Sequence, residues 1–219
     1  MGSVIGDLLP LAVGVAISPI PIVAVVLMLL SGNARVTGPG FAVGWVAGIF
    51  VVTGIVTVLA GSVGSGSGGG GTAGAWIKIV LGIALLVLAF TQWRSRADTG
   101  TPEWMRAIDE FTFGKAAGLA VVLSAVNPKN LLLCVSAGIV IGTGGLAFGG
   151  DIVALLVFTV LAGASVLVPV VGYLVAADRI SEPLAAAKNW LQTNNHLVMA
   201  IVLATMGAVV LGKGIGGLG

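Results

Sequence analysis

Lys129 is the side chain in this sequence that packing alone explains least. It stands in Ser124-Ala125-Val126-Asn127-Pro128-Lys129-Asn130, near the centre of an apolar run from about Lys115 to Ile141. At roughly 1.5 Å per helical residue, that run exceeds the ~30 Å hydrocarbon core of a bilayer. A lysine at that depth costs about 2.5–3.5 kcal/mol on insertion scales. Pro128 removes a backbone N–H and disturbs the turn before it, so carbonyls lose their helical partners. A bilayer tolerates such a break only where it faces protein or a wet cavity. Two roles for Lys129 follow. One is structural, a reach to a backbone carbonyl or to the interface. The other is functional, attraction of an anionic substrate group or a part in proton-linked gating. No acidic residue lies deep in any apolar run, so the sequence offers it no ion-pair partner. Asn127 and Asn130 both donate and accept, and either line the same cavity or cap the broken helix.

A second break, Ser18-Pro19-Ile20-Pro21, interrupts the first apolar run. Ser18 is expected to cap it, with Pro19 and Pro21 shaping it. The lead-ins are alike, Leu11-Ala12-Val13 and Leu119-Ala120-Val121. Each break is followed by an apolar half-helix, a glycine-rich turn (Gly32 to Gly40; Gly142 to Gly150) and another long span. Two halves with an odd number of spans insert in opposite directions, which makes this an inverted repeat. Discontinuous helices at matching positions then mark a substrate site at the midplane. The candidate transport site is Ser18, Pro19, Pro21, Asn127, Pro128, Lys129 and Asn130.

The remaining chemistry is thin. His196, near the start of the last run, is read as an inert interfacial histidine rather than a proton relay. Ser165 and Pro169 kink the fifth run, as packing elements first and cavity-shaping ones second. The single Cys134 excludes internal disulfides and is read as a small core residue. Gly64 to Gly69 and Gly214 to Gly219 satisfy GxGxxG, but neither sits in a strand–helix unit, so no dinucleotide site is expected. Gly207 to Lys213 lacks the final Ser/Thr of a phosphate loop. HExxH, GxSxG and paired intramembrane acids are missing, so neither a hydrolase nor a divalent-cation site can be assembled. The expectation is a protein that is not an enzyme and carries no cofactor and no metal.

The elements that hold these residues are membrane helices. Of 219 residues, 58% are hydrophobic and 8% charged, with a mean hydropathy of +1.15, too little polar surface for a soluble domain. The net charge of +2 is not gathered into a basic patch, so no nucleic-acid partner is expected. Six apolar runs, about 4–30, 39–60, 75–92, 115–141, 151–176 and 195–214, are each long enough to span. The first lacks a basic leader and carries Asp7, and is read as a retained helix. The expectation is an all-α polytopic protein of six transmembrane helices, with helices one and four broken at proline. It is a single membrane domain over 1–219, with one repeat at about 4–92, a cytoplasmic loop at 93–114 and a second repeat at about 115–214. Residues 61–74, almost pure Gly/Ser, read as a flexible connection.

Loops 31–38, 93–114 and 177–194, with Lys115 at the edge of the second, account for seven of the ten basic residues: Arg35, Arg94, Arg96, Arg106, Lys115, Arg179 and Lys188. The positive-inside rule places them in the cytoplasm of a plasma (inner) membrane protein and both termini outside. Trp76, Trp93, Trp104 and Trp190 fall at predicted helix ends, as an interfacial belt requires. Thr101 to Phe111 reads as a short amphipathic helix on the inner interface, with a weaker copy at Ser181 to Gln192. Gly40, Gly44 and Gly48 form two GxxxG steps on one face of the second run. They pack a neighbouring helix of the same chain or, as the rival reading, a homodimer.

Taken together, Ser18-Pro19-Ile20-Pro21, Gly38-Pro39-Gly40 through Gly48, Pro102-Glu103-Trp104-Met105 and Gly118 leading to Asn127-Pro128-Lys129-Asn130-Leu131-Leu132 resemble the GAP family. These are the sulfolipid- or peptidoglycolipid-addressing proteins of actinobacteria, within the lysine-exporter (LysE) superfamily. The resemblance covers nearly the whole chain. It implies six spans and movement of a cell-envelope glycolipid toward the outer leaflet, with Pro19, Pro21, Asn127, Pro128, Lys129 and Asn130 as site positions. Ser-Pro-Ile-Pro departs from the Gly-Pro step typical of the superfamily's amino-acid exporters, which weakens an amino-acid substrate. Three functions remain: a glycolipid exporter with a membrane lipid as substrate and a lipid transporter as partner; an exporter of amino acids or other small solutes; and a non-transporting scaffold for a lipid-synthesis complex.

Overall fold

A computed structural model describes residues 1–64, 70–94 and 111–217, and every element among them is an α-helix. In chain order these are α1 (Gly2–Ala16), α2 (Pro19–Leu29), α3 (Ala34–Gly64), α4 (Gly70–Arg94), α5 (Phe113–Ala125), α6 (Pro128–Gly142) and α7 (Phe148–Gly216). The two expected breaks are present. The chain bends by 55° between α1 and α2 and by 68° between α5 and α6. The cause is the same at both. A residue in extended conformation, Ser18 or Asn127, is followed by proline at the first helical position, where a missing N–H costs nothing.

α7 is helical throughout except at Ala176 (φ −149°, ψ 57°), which separates a leg Phe148–Ala177 from a last leg Leu197–Gly216. The sharp break in this region therefore falls at Ala176 and not at Ser165 or Pro169, which both lie inside the first leg. Ala34–Ser62, Phe148–Ala177 and Leu197–Gly216 are long and apolar enough to cross a membrane, and each bent pair qualifies as a further span. The apolar part of α4, Ala75–Thr91, is shorter.

The Gly/Ser-rich stretch is a correction to the sequence reading. α3 runs on to Gly64 and α4 begins at Gly70, so much of 61–74 is helix rather than loose connection. A backbone leaving a bilayer keeps its hydrogen bonds internal, and the helix persists where composition alone predicts coil. The turns are also shorter than predicted. α3 starts at Ala34, so Gly38, Pro39 and Gly40 are helical, and the second turn lies between Gly142 and Phe148 with Gly145 at φ 64°. Residues 95–110, which carry most of the predicted amphipathic helix, lie outside the described residues. Residues 181–192 are helical as expected, within α7.

Large apolar side chains cover the outside, among them Val58, Leu59, Val80, Val160, Val168 and Val175, each more than half exposed. In water such a surface is untenable; against lipid it is the required one. Trp76 and Trp93 are exposed near the ends of α4 and Trp190 is exposed within α7, whereas Trp45 is fully buried. Inside, glycines set the close approaches. A Cβ on Gly40 would lie 2.6 Å from the Phe113 carbonyl oxygen, and one on Gly44 or Gly48 would overlap the Ala117 carbonyl or the Ser124 hydroxyl. The glycine stripe of α3 is thus filled by α5 of the same chain. This is the intramolecular role read from the sequence, and a homodimer through Gly40, Gly44 and Gly48 would have to displace α5. α4 packs on the last leg of α7 through Gly82, Gly207 and Gly214 in the same manner.

Candidate functional site

The two breaks meet. Ser18 donates from Oγ to Asn130 Oδ1 at 2.9 Å, across 112 residues of sequence. Lys129 Nζ donates to Ser18 Oγ at 3.1 Å and to the Ile17 carbonyl oxygen at 2.9 Å. Asn130 Nδ2 donates to the Leu123 carbonyl oxygen at 3.1 Å. Amine, hydroxyl and amide therefore form one directed chain from α6 through the α1–α2 break and back to α5. Ser18, Lys129 and Asn130 are all nearly inaccessible, Lys129 at 2%.

Backbone chemistry explains why these partners are needed. α1 ends at Ala16 and Ser18 is extended, so no N–H further along the chain follows in helical register, and Pro19 and Pro21 carry none at all. Ile17 is left with an orphan carbonyl, and Lys129 supplies its donor. At the second break Asn127 is the first residue not donating back along α5, and the Leu123 carbonyl that it leaves free takes the Asn130 amide. Each break is thus closed by a side chain from the first turn of α6. Leaving such carbonyls unserved in a low dielectric would cost about 1–3 kcal/mol apiece.

The predicted residues take up different tasks. Ser18, Lys129 and Asn130 form the knot. Asn127 accepts from the Lys129 backbone N–H at 3.1 Å and caps α6, the structural role offered for it above. Ser18 occupies the N-cap position of α2 but makes no side-chain cap; its hydroxyl is drawn to α6 instead, so the capping role expected of it is not the one it plays. Pro19 and Pro21 are buried beside the knot, while Pro128 is exposed and shapes the break without lining it. Among the described residues no carboxylate pairs with Lys129. Cys134 is buried in the core as expected. The side chain of His196 lies outside the described ones. Among the described residues no group of His, Cys, Asp and Glu is arranged to hold a metal ion.

Lys129 is occluded by protein, yet apolar side chains near both breaks are exposed. Val13 on α1 and Ile17 just after it are 50% and 41% exposed, and Val122 and Val126 before the second break are 50% and 66% exposed. Sequence reasoning missed the Ile17 carbonyl, although its place just before Ser18-Pro19-Ile20-Pro21 announces it. It also missed an ion pair of 2.6 Å between Lys213 and Asp7, whose signal was two opposite charges at the same end of the first and last runs.

A profile of the family described as Sap, sulfolipid-1-addressing protein, matches residues 8–216. The match takes in all seven helices, and the chain belongs to this family. No curated protein and no solved structure matches the chain.

Proposed function

We propose that this member of the sulfolipid-1-addressing family is an exporter that carries a sulfolipid-like glycolipid, or a similar anionic amphiphile, toward the outer leaflet of the plasma membrane. The observation that carries the reading is the knot itself: two interrupted helices locked together at a buried amine that meets no carboxylate among the described residues. An anionic headgroup is the natural competitor for the Ser18 hydroxyl and the Ile17 carbonyl around that amine. The exposed Val13, Ile17, Val122 and Val126 leave acyl chains in contact with lipid while the headgroup reaches inward. In this reading the hydrogen-bonded knot is the occluded resting state. The carrier has six spans in two inverted three-helix halves of LysE-superfamily type, both termini outside, and works by rocking of one half on the other. Its energy comes from an ion gradient or from a partner lipid transporter.

One observation favours a second reading. Lys129 is 2% exposed and meets acceptors within the protein, as a structural brace in a scaffold would. Lipid profiling of cells carrying Lys129→Met separates the two. Loss of an exporter leaves glycolipid made but held inside, whereas loss of a synthesis scaffold lowers the total. Wild-type amounts both in total and at the surface would overturn the transport assignment.

A further inference from the structure

Two turns along α6 from the knot, α1, α6 and the last leg of α7 enclose a small cleft lined by Asp7, Leu11, Ser136, Val140, Val210 and Lys213. Ser136 stands about 10 Å along the helix axis from Lys129, at 1.5 Å per residue. The cleft holds about 20 Å³, room for little more than one water molecule. Contacts of different chemistry lie toward its two ends. At the mouth, Lys213 on α7 and Asp7 on α1 pair at 2.6 Å with side chains 36% and 42% exposed. At the floor, Gly14 of α1 faces Leu133 of α6 and Met206 of α7. An atom placed at its Cβ position would lie 3.0 Å from Leu133 Cδ1 and 3.1 Å from Met206 Cγ. Below that apolar layer come Ser18, Lys129 and Asn130.

The layers run in register along three helices: charge pair, then Leu11 and Ser136, then Gly14 with Leu133 and Met206, then the knot. We infer that this seam is the second half of the transport path, a vestibule gated by Asp7–Lys213 at its mouth and by Leu133 and Met206 at its floor. The inference rests on the transport reading and specifies where the headgroup leaves. Physical features of the seam fit that use. Two flexible apolar side chains over a glycine part with little backbone motion, and Met is the most adaptable of the apolar residues. A partly exposed ion pair is weak enough to open without a large barrier. An anionic headgroup passing outward would exchange the amine of Lys129 for that of Lys213, competing with Asp7 for it.

Thiol accessibility tests the gates without needing a substrate. In a Cys134→Ala background, Ser136→Cys is treated in intact cells with a membrane-impermeant thiol reagent. We expect modification from the face carrying Asp7 and Lys213, about two- to fivefold faster when Lys213→Gln is added, the population shift a pair of this exposure supports. Ser18→Cys is expected to resist the reagent until Met206→Ala opens the floor. A rate at position 136 indifferent to Lys213→Gln overturns the mouth gate. A thiol at position 18 as reactive as one at 136 with the floor intact overturns the floor. If both gates behave but Lys213→Gln leaves the surface glycolipid unchanged, the seam opens without being the exit, and the inference fails while the role of Lys129 stands.

Discussion

The amine of Lys129 lies 2.9 Å from the carbonyl oxygen of Ile17, a backbone group left without a helical donor where α1 ends at the break. A break in one half of the chain and a lysine on the other are thus matched as vacancy and filling. The pairing has an energetic consequence. Lys129→Met should lower stability by about 1–3 kcal/mol, because two acceptors lose their donor. Lys129→Gln keeps a side-chain N–H that can still serve Ile17. It should therefore be less destabilised than Lys129→Met, by about 1 kcal/mol. Reversible unfolding in mixed micelles measures all three proteins; equal losses in the two variants would show that the carbonyl is not what Lys129 satisfies.

The glycine stripe makes a prediction about folding rather than transport. Gly44→Ala drives a methyl group into the Ala117 carbonyl and forces α3 away from α5, an overpacking expected to cost about 1–3 kcal/mol. Gly118→Ala is its control, since nothing lies within 4 Å of the added carbon. That variant should hold or gain stability, by up to about 1 kcal/mol from helix propensity. Melting temperature and recovery of monodisperse protein after detergent extraction report both. Equal behaviour of the two glycine variants would contradict the close approach described between α3 and α5.

Asn127 and Asn130 should part company although they are near neighbours. Asn127→Ala removes a cap and should cost about 0.5–2 kcal/mol while export continues. Asn127→Ser, which keeps an uncharged acceptor at the cap, should restore most of the stability. Asn130→Ala breaks the chain from Ser18 to Leu123 and should reduce both stability and export. Export lost in Asn127→Ala but kept in Asn130→Ala would reverse the assignment of cap and knot.

Much of this architecture can be seen in the sequence because membranes make local rules strict. Prolines at 19, 21 and 128 mark the breaks, since an absent N–H has a local consequence wherever it falls. The apolar runs mark the helices because their length is set by the bilayer. The lysine stands out because its charge is expensive at that depth. What the sequence hides is non-local. Nothing in Ser18 says that its hydroxyl turns from its own helix to Asn130, because that choice is made by packing across the two halves. The helical ends of the Gly/Ser stretch are hidden for another reason: composition reports propensity in water, and at a membrane boundary satisfying the backbone outweighs it. Asp7 and Lys213 are each unremarkable at a helix end and acquire meaning only when α1 and the last leg of α7 are found side by side.

The central claim is that the amine at position 129 handles the headgroup of an exported lipid and does more than brace two broken helices. Outer-envelope glycolipid should be quantified in cells carrying Lys129→Gln, a variant in which the Ile17 carbonyl keeps a side-chain N–H donor but the cation is gone. The account predicts a protein that inserts and folds, glycolipid accumulated inside, and a surface share far below wild type. A surface share equal to wild type from that same stable, inserted protein would contradict it.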